Sequence, residues 1–336
     1  MRRVAGYASL ASMAAAVVLF ALQTPPLAAG SFADDIARLS EPEGFFDTDN
    51  LISNERTYLE VVPALVKGGV SGGAYIGVGP DQNFSYIARI RPAVAYIIDI
   101  RRDNLLLHLL FKALFARAPD RVAYLSLLTG RSPPALPAGA GVEDLVRAIN
   151  EAPRAETTDL KETGLDETIR GFGVPLSPAD FAAIGRFHGA FVQRGLALQF
   201  NSHGRPPQSH YPTLRDLIVA TDRSGRAWHY LASEADYQFV RQLQARDLII
   251  PVVGDVGGPH ALRAIGRTIA SRGERVSAFY ISNVESYLYR DGAYGRFTAN
   301  LSGLPRDARS VMIRSIFGGA SSTSAVLSMD ELLAGR

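Results

Sequence analysis

Hydrophobic residues in this chain fall into short unbroken runs separated by amphipathic stretches. That is the pattern of strands buried on both faces alternating with helices. The runs are Ala74–Val78, Val94–Ile100, Leu248–Val253 and Val276–Ile281. Ser310–Phe317 alternates weakly and reads as a last strand, at a sheet edge; Gly318–Ser324 reads as a small-residue turn. Leu196–Phe200 is read as a strand intervening between the second and fourth. Helical spacing marks Phe32–Leu39, a helix begun by Asn54, Glu55 and Arg56 and running to about Val66, and a helix ending near Ile90, where Pro92 pushes Arg91 out of the helical region. Further helices are read over Asp103–Phe115, Val142–Asn150, Pro178–Arg194, Thr213–Ala220, Ser233–Ala245, His260–Ser271 and Phe297–Leu304. This alternation predicts an α/β fold with a doubly wound, mainly parallel, Rossmann-like sheet. The stretch over about 118–226 reads as a largely helical insertion. Pro251 is awkward inside a central strand, because it removes one ladder bond.

The first strand ends in Gly77-Val78-Gly79-Pro80-Asp81-Gln82-Asn83, and the second ends in Asp99. Gly77 and Gly79 leave the backbone bare, so a ligand can approach main-chain N–H groups there. Pro80 suits a first helical position, and Asp81 or Asn83 can cap the helix that follows. Strand, glycine turn, helix, strand and acid is the order in which doubly wound folds hold a ribose diol, with the acid about 20 residues after the glycines. The alternative is a βαβ unit whose glycines serve only the turn. The dinucleotide fingerprint fits less well. Gln82 stands where its third glycine packs, and Asp81 repels a pyrophosphate. Arg101 and Arg102 either pair with local carboxylates or receive a phosphate, which keeps an NADP-type oxidoreductase open.

These residues resemble the cofactor half of class I S-adenosylmethionine-dependent methyltransferases. The resemblance implies that Gly77 and Gly79, with Pro80, Asp81, Gln82 and Asn83, cradle the methionine end of S-adenosylmethionine. It implies that Asp99, beside Arg101, takes the ribose hydroxyls. More widely, most of the chain resembles a family of bacterial proteins with a methyltransferase-like fold and no established reaction. Phe45–Glu55, Gly77–Asn83, Asp99–Asn104 and Pro251–Asp255 carry that likeness. Asp255, Asn283 and Glu285 lie just past the later strands, where methyltransferases orient a nucleophile or accept its proton; turn-making and helix capping is the alternative for all three. The methyl acceptor is not legible.

Composition narrows the classes. Residues of hydrophobic type make up 47% of 336, enough for one large core. There is no cysteine, which excludes disulfides, thiolate chemistry and Cys-based zinc sites. Residues 1–30 have an Arg2-Arg3 start, an apolar Val4–Leu22 run, Pro25-Pro26 and a small-residue end. That is the layout of a secretory signal, with an uncleaved N-terminal membrane anchor as the alternative. Residues 31–336 are expected to form one domain. Arg2 and Arg3 are the only charges in the leader, so its removal takes the formal net charge from +2 to 0. A neutral body without a basic run has no footprint for nucleic acid. The expected partner is a small molecule, and membrane contact is expected only through the anchor. Export to the periplasm sits badly with a cytosolic cofactor. An inward-facing anchor reconciles them, and an exported non-catalytic binding protein on the same scaffold is the competing reading.

Three further motifs reduce to ordinary structure. Gly69-Val70-Ser71-Gly72-Gly73 matches G-x-S-x-G, but a nucleophile elbow needs a strand before the serine and a helix after it, and here the order is reversed. Asp47-Thr48-Asp49-Asn50 lacks the glycine and distal glutamate of a calcium loop. His108 reads as a core histidine. His203 and His210 flank a polar loop with no carboxylate spaced to complete a metal site, so no metal is expected.

Overall fold

Ser31 and Asp34 form a capping box that starts the first helix, Phe32–Leu39 (α1). In the computed structural model, which describes residues 30–202, 208, 210–318 and 321–335, the chain then runs through a 3₁₀ turn at Tyr58–Val61. In order follow Val62–Lys67 (α2), Ala74–Gly77 (β1), Gln82–Ile90 (α3), Val94–Asp99 (β2), Arg102–Arg117 (α4), Arg121–Thr129 (α5), Val142–Glu151 (α6), Leu165–Gly171 (α7), Pro178–Arg194 (α8) and Leu214–Ile218 (α9). The chain closes with Glu234–Ala245 (α10), Ile249–Val253 (β3), Ala261–Ser271 (α11), Val276–Ser282 (β4), Val284–Arg290 (α12), Tyr294–Ser302 (α13), Val311–Gly318 (β5), Ser321–Ser328 (β6) and Met329–Leu333 (α14). The leader expected over 1–30 lies, but for Gly30, outside the described residues. Among the described residues no helix is long and apolar enough to cross a membrane.

The strands form one six-stranded sheet in the order β3-β2-β1-β4-β5-β6. The first five are parallel and β6 pairs antiparallel with β5. Helices cover both faces, α3, α4 and α10 packing together on one and α1, α11 and α13 on the other. Burial on both sides explains why β1 to β4 read as unbroken apolar runs. In α4 every side chain from Asn104 to Phe115 is buried, which is why its sequence is apolar almost all round. The strand order reverses between β1 and β4, so the carboxyl ends of those strands and of β2 lie side by side where such folds bind their ligands.

Several local expectations change. Pro251 causes no difficulty because β3 is an edge strand, paired only with β2. Leu196–Phe200 is no sheet strand: it holds a 3₁₀ turn at Gly195–Ala197 and one bridge from Gln199 to Thr213. The helical region therefore lies between the second and third strands. Residues 321–324, read as a turn, begin β6, whose small polar side chains gave no strand signal, and β5 is interior. Asn54 and Glu55 are not helical. The helix read from Asp103 starts one residue earlier, at Arg102, with Arg101 at its cap position. Arg91 does leave the right-handed helix, into the left-handed region at φ 54°.

A candidate functional site at the carboxyl ends of the strands

The segment 40–57 lies across the strand ends. Glu41 N donates to Val253 O (2.9 Å), and Val253 N donates to Ser40 Oγ (3.1 Å). The Glu41 carboxylate accepts from Asp255 N, His260 N and Ala261 N at 2.8–3.2 Å, capping the start of α11. Gly44 N donates to Ile100 O (2.8 Å), past the end of β2. Glu55 accepts from the hydroxyls of Ser282 and Ser315, on β4 and β5. Thr57 Oγ1 donates to Ser322 O in β6 (2.9 Å). Each of these bonds joins residues far apart in sequence.

Beneath this strap the glycine turn is buried from Gly77 to Asn83. Its interior is filled by Asn83, whose Nδ2 donates to the carbonyls of Val78, Gly79 and Pro80 and whose Oδ1 accepts from Tyr75 Oη (2.7 Å). A Cβ on Gly77 would meet Asn83 Oδ1 and the Tyr75 ring. Gly79 has φ +82°, a conformation that favours glycine. From the far side, His108 Nε2 lies 2.9 Å from the Gly79 carbonyl. A carbonyl only accepts, so Nε2 carries the proton and Nδ1 is an acceptor, and Nδ1 has no protein partner. Burial lowers the His108 pKa to about 4. One turn earlier on α4, Asn104 has neither its donor nor its acceptor paired, and Gln82 Oε1 is also without a partner. Asp81 makes no side-chain cap; it accepts from Tyr230 Oη (3.3 Å), and burial pushes its pKa up to about 6.

Asp99 is at the end of β2, as expected, but its carboxylate is engaged. Arg101 donates from N and Nε to Oδ1 (3.0 Å each) and from Nη2 to Oδ2 (2.9 Å). Arg101 Nη1 also donates to the carbonyls of Thr48 and Asp49, tying the pair to the strap. Asp99 is thus held in a buried ion pair with Arg101. Arg102 is likewise held, by Asp180 at the start of α8. Both arginines take the local-carboxylate alternative.

The three candidates past the later strands do not converge. Asp255 Oδ1 accepts from Gly257 N (2.8 Å) and shapes a turn after edge strand β3. Asn283 and Glu285 follow β4, three strand positions away, about 14 Å at the usual interstrand spacing. Glu285 is buried against Arg314 of β5, and Asn283 begins α12 without a side-chain cap. His210 rests against the Tyr211 ring, and His203 lies outside the described residues. Among the described residues no three His, Asp or Glu side chains are grouped to hold a metal ion.

The sequence reading places Glu55 at a helix start before the first strand, and gives Ser282 no role beyond ending the fourth. Glu55 is 1% exposed, and burial raises its carboxyl pKa. Ser282 has φ +55°, at a break in the β4–β5 register. The advance signal was the polar Ser53–Thr57 stretch between Leu51-Ile52 and Tyr58-Leu59.

No curated protein matches this chain. The family described as Domain of unknown function (DUF7790) matches residues 51–136 and 207–332, which include the glycine turn, Asp99, Glu55 and Ser282. The unmatched residues between them include all of α8 and the wall of an open cleft lined by Leu160, Phe181, Gly185 and His188. With more than half of its length matched, the chain belongs to the DUF7790 family.

Proposed function

We propose that this chain is a small-molecule-binding protein on a methyltransferase-like scaffold, holding its ligand beneath the 40–57 strap against the Gly79 turn. The observation that carries the reading is the group of buried polar atoms without protein partners there: Gln82 Oε1, both amide atoms of Asn104, and His108 Nδ1. Each such atom costs about 1–3 kcal/mol when left unpaired, so a polar ligand that pairs them gains correspondingly. The groups are uncharged, since Asn and Gln are neutral and His108 is held neutral at physiological pH. They suit a small neutral molecule with donors and acceptors on one edge. On this reading the strap lifts to admit it. Export through the leader, or anchorage by it, fits such a role without a cytosolic cofactor.

Methyl transfer from S-adenosylmethionine is the second reading. The strand order, with an antiparallel last strand and an acid ending β2, favours it. The Arg101 grip on Asp99 weighs against it, because a ribose diol must displace three charge-assisted or backbone donors. An NADP-type ligand is weakened further, since neither Arg101 nor Arg102 is available for a phosphate.

Calorimetric titration of the purified protein with S-adenosylmethionine, S-adenosylhomocysteine, NADP and adenosine separates the readings. Binding of adenosine alone, abolished by Asn104→Leu, supports the neutral-ligand site. Micromolar S-adenosylmethionine binding lost in Asp99→Ala replaces it with the methyltransferase reading. Heats that are flat for all four ligands remove nucleosides from the ligand class.

A further inference from the structure

Ser282 ends central strand β4 and lies two residues before the start of α12. It is one of four described residues other than glycine with positive φ, and the β4–β5 register breaks beside it. In that left-handed bend between a strand and a helix, the Ser282 hydroxyl is held against Glu55 at the ends of β4 and β5. Such strain persists only where the surroundings impose it, and it concentrates at reactive sites. The hydroxyl donates to Glu55, a buried carboxyl that also accepts from Ser315. No lysine or arginine forms an ion pair with Glu55 among the described residues, so no cation competes for a proton arriving there. Ser282 itself is only half-buried, and Asn283, whose Oδ1 is 3.3 Å from Ser282 Oγ, is half-buried beside it.

We propose that Ser282 is a nucleophile for acyl transfer and Glu55 its general base, with carboxylic esters as the substrate class. In the first step Ser282 Oγ bonds to the ester carbonyl carbon while its proton passes to Glu55. The oxyanion so formed takes an N–H from the Asn283 side chain. The carbon–oxygen bond to the alcohol then breaks, and the departing alkoxide takes the proton back from Glu55, leaving an acyl-serine. Water repeats the sequence: it gives a proton to Glu55, attacks the acyl carbon, and releases the acid as Ser282 Oγ recovers that proton. No metal or redox partner is needed. Burial strengthens the base, because a carboxylate whose pKa is raised accepts a proton more readily. The inference is independent of which ligand fits beneath the strap.

The test is covalent labelling of the whole protein with a fluorophosphonate, located by peptide mass spectrometry, alongside hydrolysis of p-nitrophenyl acetate. The expected result is an adduct on Ser282, absent in Ser282→Ala and reduced at least tenfold in rate in Glu55→Gln. The two serines donate to different oxygens of Glu55; Glu55→Gln keeps one as an acceptor and its amide nitrogen can donate to the other hydroxyl, so circular dichroism should report an intact fold. Ser282→Gly supplies a readout that a structural serine would not give. It relieves the left-handed backbone and raises the melting temperature while abolishing the adduct. No adduct on Ser282 in the wild-type protein overturns the proposal, as does labelling at an unchanged rate in Glu55→Gln.

Discussion

Arg101 closes on Asp99 through its own backbone N–H and two guanidinium nitrogens, although only Ile100 separates them. Their side chains are 8% and 10% exposed. Removing one partner of a buried ion pair strands the other charge, at a typical cost of about 3–5 kcal/mol. Arg101→Ala also frees the Thr48 and Asp49 carbonyls from their donor. Urea unfolding should show a loss of about 3 kcal/mol or more. A loss under about 1 kcal/mol means that the pair does not hold the strap.

Asp81 gives a pH signature. Burial pushes its folded pKa up to about 6, above the ordinary carboxylate value of 3.8, so folding favours the protonated form. That contribution is complete below the unfolded pKa and is lost as pH rises through about 6. At pH 7.5 the protein therefore carries an ionised buried carboxylate, and Asp81→Asn removes it. The variant should be more stable than wild type at pH 7.5, by up to about 3 kcal/mol, with the gain shrinking toward pH 4. Equal urea midpoints at pH 7.5 would count against the buried charge.

His108 and His229 act in the opposite direction. Burial lowers them to about 4 and about 3 from the ordinary histidine value of 6.5, so folding favours their neutral forms. Stability from this source is full above pH 6.5 and falls as the pH drops from there through about 4 and then 3. Replacing His108 with Gln should flatten the decline between pH 6.5 and 4. Proton NMR of the His108 ring should show no titration above pH 5; a midpoint near 6.5 would contradict the burial.

Gly77 and Gly72 separate crowding from backbone strain. Gly72 has φ +66° and open space around its Cβ position, so Gly72→Ala should cost about 1–2 kcal/mol from strain alone. At Gly77 a methyl group would displace Asn83 from Tyr75 and from the carbonyls that it gathers. Overpacking and lost hydrogen bonds together should cost about 3 kcal/mol or more. If the two variants unfold at the same urea concentration, Asn83 does not set the shape of the turn.

The amino-acid sequence by itself determined the alternation of strands and helices from β1 through β4, the insertion, the glycine turn and the acid at the end of β2. Those are local or periodic properties: apolar runs, proline breaks, and glycines where a turn is needed. It missed β6 because its first half, Ser321–Ser324, is small and polar, and an antiparallel edge strand is held by its partner rather than by its own propensity. It misplaced Leu196–Phe200 because an apolar pentapeptide packs equally well as irregular core. Tertiary structure alone decided the state of the site. Whether Asp99 faces a ligand or an arginine, and whether the turn is open or filled, depends on bonds such as Arg101–Thr48, Asn83–Tyr75 and Glu55–Ser282. The residue types at those positions fit either state. Only the fold, by carrying the 40–57 strap across the strand ends, brings Glu55 to Ser282 across more than 200 intervening residues.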